Sequence, residues 1–204
     1  MKKLVVYLCV GVMVLSMTAC GRGAEQNRTD GENQTQETTD SSMNGEQANA
    51  GEDKPRTGLS QVRSKLIEVL GDRYWPNTET SIEFLEEYGL RAEMYDAFLC
   101  EMPMISENVD TLIIIQAKEN QLEAVEEAVR SYREELVDEA DDWGANEGKI
   151  QASRIETLGN YVCFVQLGAD ITEIYGEEGN DEAVIRHCQE QNELALEAIS
   201  KVLG

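Results

Sequence analysis

The chain has 204 residues, with 40 acidic side chains against 17 basic ones, a net charge of −23 and a single histidine. So negative a chain repels nucleic-acid phosphates and anionic headgroups, which excludes nucleic acid as a partner. Its charged partners would be cationic (a basic protein patch, a peptide, diffusely held divalent ions), or the charge serves only to keep an exposed protein soluble.

The first nineteen residues read as a leader. Lys2 and Lys3 precede an apolar run from Leu4 to Leu15, of secretion-signal length and short of the roughly twenty residues that a membrane-spanning helix needs. Ser16-Met17-Thr18-Ala19-Cys20 follows, with small residues leading into a cysteine. This resembles the lipobox of bacterial lipoproteins, with Met17 where leucine is commonest. The resemblance implies cleavage before Cys20, a diacylglycerol on its sulfur, and a palmitate-type lipid anchor on the extracytoplasmic face of the cell membrane. Two acyl chains hold a protein stably where one holds it marginally. Loss of Lys2 and Lys3 with the leader takes the net charge from −23 to −25.

From Gly21 to Gly58 the chain is rich in Gln, Asn, Thr, Ser, Glu and Gly and has no aromatic residue. It cannot bury enough surface to offset the entropy of ordering it, which predicts a disordered linker. Its coil dimension of about 30–37 Å would lift the rest of the chain clear of the headgroups, into the space between membrane and wall of a Gram-positive envelope. The expected organisation is therefore 1–19 leader, 20–58 lipidated cysteine and linker, and 59–204 one domain.

Within the domain, Leu59, Val62, Leu66, Val69 and Leu70 recur at helical spacing and Gly71 ends the pattern. Thr80 and Glu83 suggest a capping box for a short helix closed by Gly89. Tyr95 to Met102 reads as a strand stopped by Pro103. Thr111 to Ala117 reads as a central strand, Leu112 to Ile115 being apolar on both faces. A helix is predicted from Asn120 with a stripe of Leu122, Val125, Val129, Tyr132 and Leu136. Asp141 to Gly148 reads as a loop. Strands at Ile150 to Thr157 and Tyr161 to Leu167 flank a Gly159-Asn160 turn. A last helix spans Glu182 to Leu203, its apolar stripe interrupted by Asn192. The order predicts an α+β domain: a two-layer sandwich with a mostly antiparallel sheet of about four strands, covered by helices on one face.

Glu101-Met102-Pro103-Met104-Ile105, the strand Leu112 to Ala117, the helix Leu122 to Leu136 and the strand Asn160 to Val165 resemble the domain of unknown function numbered 4358, a family of small envelope lipoproteins. That family implies no activity and supplies no catalytic residue; Cys100 and Cys163 depart from its usual small or aliphatic residues.

The residues offer little chemistry. His187 lies beside Cys188, and helix neighbours about a hundred degrees apart do not face each other. No nucleophile elbow, zinc-protease or phosphate-loop motif occurs, so no catalytic residue, metal ligand or cofactor is assigned. Asp138, Glu139, Asp141 and Asp142 before Trp143 read as a solvated helix end or a calcium site, though their spacing fails the EF-hand pattern. A carboxylate-pair glycosidase would need a cleft and a sugar platform, for which Trp75 and Trp143 are the only tryptophans. Without Cys9 and Cys20, three cysteines remain. Cys100 and Cys163 read as buried thiols or as a disulfide that an oxidising location allows. The reading that results is a non-enzymatic binding or interaction module of the envelope, engaging a protein or cationic ligand through the sheet face or the loops. The alternatives are an envelope hydrolase using carboxylates and a small solute-binding lipoprotein.

Overall fold

The strand Thr111–Ala117 (β3) organises the molecule, because it is apolar on both sides. In a computed structural model that describes residues 53–104, 108–176 and 179–204, Leu112 and Ile114 point to one core and Ile113 and Ile115 to another, all fully buried. A strand of this kind must be covered twice, since successive side chains face opposite ways. Around it lie β1 (Thr78–Glu79), β2 (Tyr95–Met102), β4 (Arg154–Leu158) and β5 (Tyr161–Gln166). They form one sheet in the order β1-β2-β3-β5-β4, with every neighbouring pair antiparallel.

On one face, α1 (Asp53–Leu70) and α5 (Asp181–Leu203) pack side by side. Leu59, Val62, Leu66, Ala195 and Ile199 meet Leu99, Ile114, Cys163 and Val165. The other face is covered by α2 (Leu122–Asp138) and a 3-10 helix at Glu83–Tyr88. Val125, Ala128 and Val129 there meet Ile113, Ile115, Val162 and Phe164, with Leu85 and Leu90 alongside. Tyr132 sits at the centre of an aromatic group, its ring 5.3–5.5 Å from those of Phe84, Tyr88 and Phe164, in the tilted arrangements that ring quadrupoles favour.

The α+β class and the antiparallel sheet agree with the sequence reading, and the boundaries of β2 and β3 coincide with it. The two-layer expectation is corrected to three layers. The sheet has five strands, the fifth being the two-residue β1, and helices cover both faces.

Local differences have local causes. α1 begins at Asp53, inside the segment read as linker. In place of the expected Thr80 capping box, the N-cap position of the short helix is Ile82, without a side-chain cap; Ser81 Oγ, just before it, accepts from Glu83 N at 3.2 Å, and Gly89 closes the turn at φ 98°. Asn120 takes φ 64° and turns the chain, so α2 starts two residues later. Ile150, expected in a strand, belongs to α3 (Glu147–Gln151), which follows a 3-10 helix at Ala140–Asn146. Gly148 lets α3 approach α5, since a Cβ there would lie 2.8 Å from Val184. Gly159 makes the β4–β5 turn at φ 60°. The leader, Cys20 and the linker up to residue 52 lie outside the described residues.

Candidate binding cleft

Two buried carboxylates lie near one end of the sheet, where β2 and β5 end and β3 begins. Asp110, immediately before β3, is completely buried and 2.6 Å from Lys149 Nζ of α3, whose side chain is 2% exposed. Lys149 also donates to Asn108 Oδ1 at 3.1 Å and to the Ala169 carbonyl at 2.6 Å. An ammonium has three protons, so these three acceptors use all of them. The other oxygen of Asp110 accepts from the backbone N–H groups of Gly168 (3.2 Å) and Ala169 (2.9 Å). Burial pushes the Asp110 carboxyl above its ordinary value, against the opposing pull of Lys149 and the two amides.

This pair ties the loop after β5 to the start of β3. The fit is tight: a Cβ on Gly168 would lie 2.6 Å from Cys188 Sγ and 3.0 Å from Lys149 Cε. Ala169 is held at φ 51°, a region that costs a residue with a Cβ about 1–2 kcal/mol. His187 Nε2 donates to the Gly168 carbonyl at 3.2 Å and Cys188 is buried beside it. The two therefore brace the same loop, and neither acts on the other.

The second carboxylate, Glu101 of β2, is fully buried between Arg63, whose Nε is 2.6 Å from Oε1, and the Tyr74 hydroxyl, which donates to Oε2. Burial, with Glu101 next, raises the Tyr74 hydroxyl's pKa above its ordinary value. The bond fixes the segment before β1 and sets Trp75, whose ring centroid is 5.7 Å from Lys149 Nζ and whose Nε1 donates to the Asp72 carbonyl.

Above the Lys149–Asp110 pair opens a cleft of about 750 Å³. Its walls are the segment with Trp75 and Asn77, Pro103 after β2, Asn108, and the segment Ala169–Gly176 that includes α4 (Thr172–Tyr175). Asp170 is exposed at the rim, and the Thr172 hydroxyl, together with Thr172 N at 2.9 Å, donates to its carboxyl and holds it below the ordinary value. Asn108 Nδ2 is buried without a hydrogen-bond partner among the described residues.

Of the candidate residues read from the sequence, Trp75 lines the cleft, and the cysteines, the acidic cluster and Trp143 lie elsewhere. Cys100 and Cys163 are free, buried thiols. They face opposite cores and stand on β2 and β5 with β3 between them. The expected alternative of a disulfide between them is thereby corrected, because no side-chain rotation can carry one sulfur through the sheet. Trp75 lines the cleft and Trp143 a separate hollow of about 250 Å³ beside Tyr132 and Leu136. Asp138, Glu139, Asp141 and Asp142 run from the end of α2 into the following 3-10 helix; among the described residues no three His, Cys, Asp or Glu side chains gather in a metal-holding group. Sequence reasoning missed Asp110, Lys149 and Glu101. Its one usable signal was Asn192, a polar residue in an apolar stripe. Asn192 is fully buried, accepts from Leu167 N and donates to the Ala152 carbonyl, both at 2.9 Å, and so fixes the root of the same loop.

Residues 72–167 match the profile of a family described as a domain of unknown function, DUF4358. This part of the chain is similar to that family; it contains all five strands, begins before Glu101, the first residue of the resemblance read from the sequence, and leaves out α1, α5 and the Ala169–Gly176 wall. Comparison with curated proteins and with solved structures gives no match. Among the described residues no helix is long and apolar enough to cross a membrane.

Proposed function

We propose that this protein is a lipoprotein held to the extracytoplasmic face of the cell membrane through Cys20, and that its domain is a non-enzymatic binding module. The observation that carries the binding reading is the cleft of about 750 Å³ at the sheet end, a volume in the range of small-molecule sites. Both sheet faces are covered by helices, so the loops that line this cleft are the recognition surface. A carboxylate-based hydrolase draws less support. Of the two aspartates there, Asp110 is taken up by Lys149 and two backbone amides, which leaves Asp170 without a second free acid among the described cleft residues.

Two experiments test the two halves. Fatty-acid labelling of the native strain should mark the wild-type protein and not Cys20→Ala; equal labelling sinks the anchor. For the cleft, a photo-crosslinking residue is placed at Asn77 on its wall or at Glu127 on the exposed face of α2. Covalent adducts in intact cells should form at residue 77 and not at 127. Equal yields at both, or none, would reject the cleft as the site.

A further inference from the structure

Resting on that binding reading, we propose that the ligand of the cleft is an uncharged saccharide, a short stretch of glycan chain lying between Trp75 and Tyr175. The floor carries no spare charge, because the Lys149 ammonium is consumed by Asp110, Asn108 and Ala169. Phosphate-bearing ligands meet no free cation among the described lining residues, and approach a domain whose segment from Leu59 onward carries a net charge of about −21. A wholly apolar ligand fits no better, since it would seal Asn77, Asn108, Asp170 and Thr172 against hydrocarbon and strand their hydrogen-bonding groups.

A molecule with apolar faces and a polar circumference suits these walls, where hydroxyl donors can meet the Asp170 carboxylate as well as a cation can. A pyranose ring has this form. Its C–H faces lie flat against aromatic rings, which Tyr74, Trp75 and Tyr175 supply. Its hydroxyls and any acetamido group both donate and accept in the ring plane, as the amide and carboxylate side chains of the walls require.

The test is calorimetric titration of the purified full chain in detergent micelles, with tryptophan emission followed in parallel. The probes are the tetramers of β-1,4-linked N-acetylglucosamine, β-1,4-linked glucose and α-1,4-linked glucose, with inorganic phosphate and spermidine for comparison. At least one tetramer should saturate the protein below about 10 mM. Trp75→Ala and Tyr175→Ala should each weaken that binding at least tenfold. Trp143→Ala, in the separate hollow, should stay within twofold. Thermal melts confirm that each variant is folded, and Tyr175→Ala, on a short surface helix, answers if Trp75→Ala does not fold. Should spermidine or phosphate bind in a Trp75-dependent way while no tetramer does, the glycan assignment is wrong and the binding cleft stands. Silence from every probe together with no adduct at residue 77 overturns both. A tetramer that binds with equal affinity to Trp75→Ala, Tyr175→Ala and wild type overturns the assignment of the sugar to this cleft.

Discussion

Replacing Lys149 by Met removes the ammonium and keeps most of the stem. Asp110 is then left fully buried beside two backbone amides with no cation. Removing one partner of a buried ion pair costs about 3–5 kcal/mol, because the remaining charge stays uncompensated. Such pairs can sometimes be exchanged for apolar residues without loss. Here the double change Lys149→Met with Asp110→Leu should recover little, because it also orphans the Gly168 and Ala169 N–H groups and the Ala169 carbonyl. Each such buried group costs about 1–3 kcal/mol. With a urea slope of about 2 kcal/mol per molar for a domain of this size, Lys149→Met should lower the unfolding midpoint by about 1.5–2.5 M. Trp75, 5.7 Å from the ammonium, reports on the site and Trp143 on the rest of the domain. A midpoint within about 0.2 M of wild type for Lys149→Met would refute the reasoning, as would a double variant as stable as wild type. Either result would mean that the pair contributes nothing beyond its own desolvation.

Three further outcomes are expected. Val129 is fully buried on α2, so Val129→Asp should cost at least about 3 kcal/mol in denaturant melts; Glu127→Lys, on the exposed face, should stay within about 0.5 kcal/mol. Burial pushes the thiols of Cys100, Cys163 and Cys188 up to about 12. At pH 8 an alkylating reagent should therefore modify none of them within minutes in the folded protein and all three after unfolding, a contrast that mass spectrometry reads. The same shifts make the folded chain hold more protons than the unfolded one between the ordinary thiol value and about 12, so stability should fall as pH rises through that window. Asn192→Leu should cost about 2–4 kcal/mol, since it strands Leu167 N and the Ala152 carbonyl; a neutral effect in a thermal melt would deny the residue its bracing role.

Much of this fold was legible in the chain. Leu112 to Ile115, apolar without alternation, gave the central strand, and the stripe from Leu122 to Leu136 gave the helix that packs on it. The layer count was misjudged although the signal was present: a strand apolar on both faces demands two covering layers, and α1 and α5 were the second. Ile150 was misplaced because a short apolar stretch fits a buried helical turn as well as a strand; only the approach of Gly148 to Val184 decides between them. The cleft was not legible. Asp110 and Lys149 meet across 39 positions, one among 40 acidic and one among 17 basic residues, and no local pattern distinguishes a charge that will be sealed from one that stays in water.

Each wall of the cleft belongs to a different connection of the chain, and the connections are held in place by one sheet. Trp75 comes before β1, Asn108 before β3, Lys149 before β4, and Asp170 with Tyr175 after β5. The first three fall within residues 72–167, and the fourth lies past the end of the matched segment. Lys149 joins three of the walls, since it donates to Asn108 and Ala169 and lies 5.7 Å from the Trp75 ring. Chains that share the five strands of residues 72–167 therefore share only part of this cleft, because the Ala169–Gly176 wall lies outside that segment. Similarity over the sheet alone is thus a guide to architecture, and the composition of the cleft depends as well on the stretch between β5 and α5.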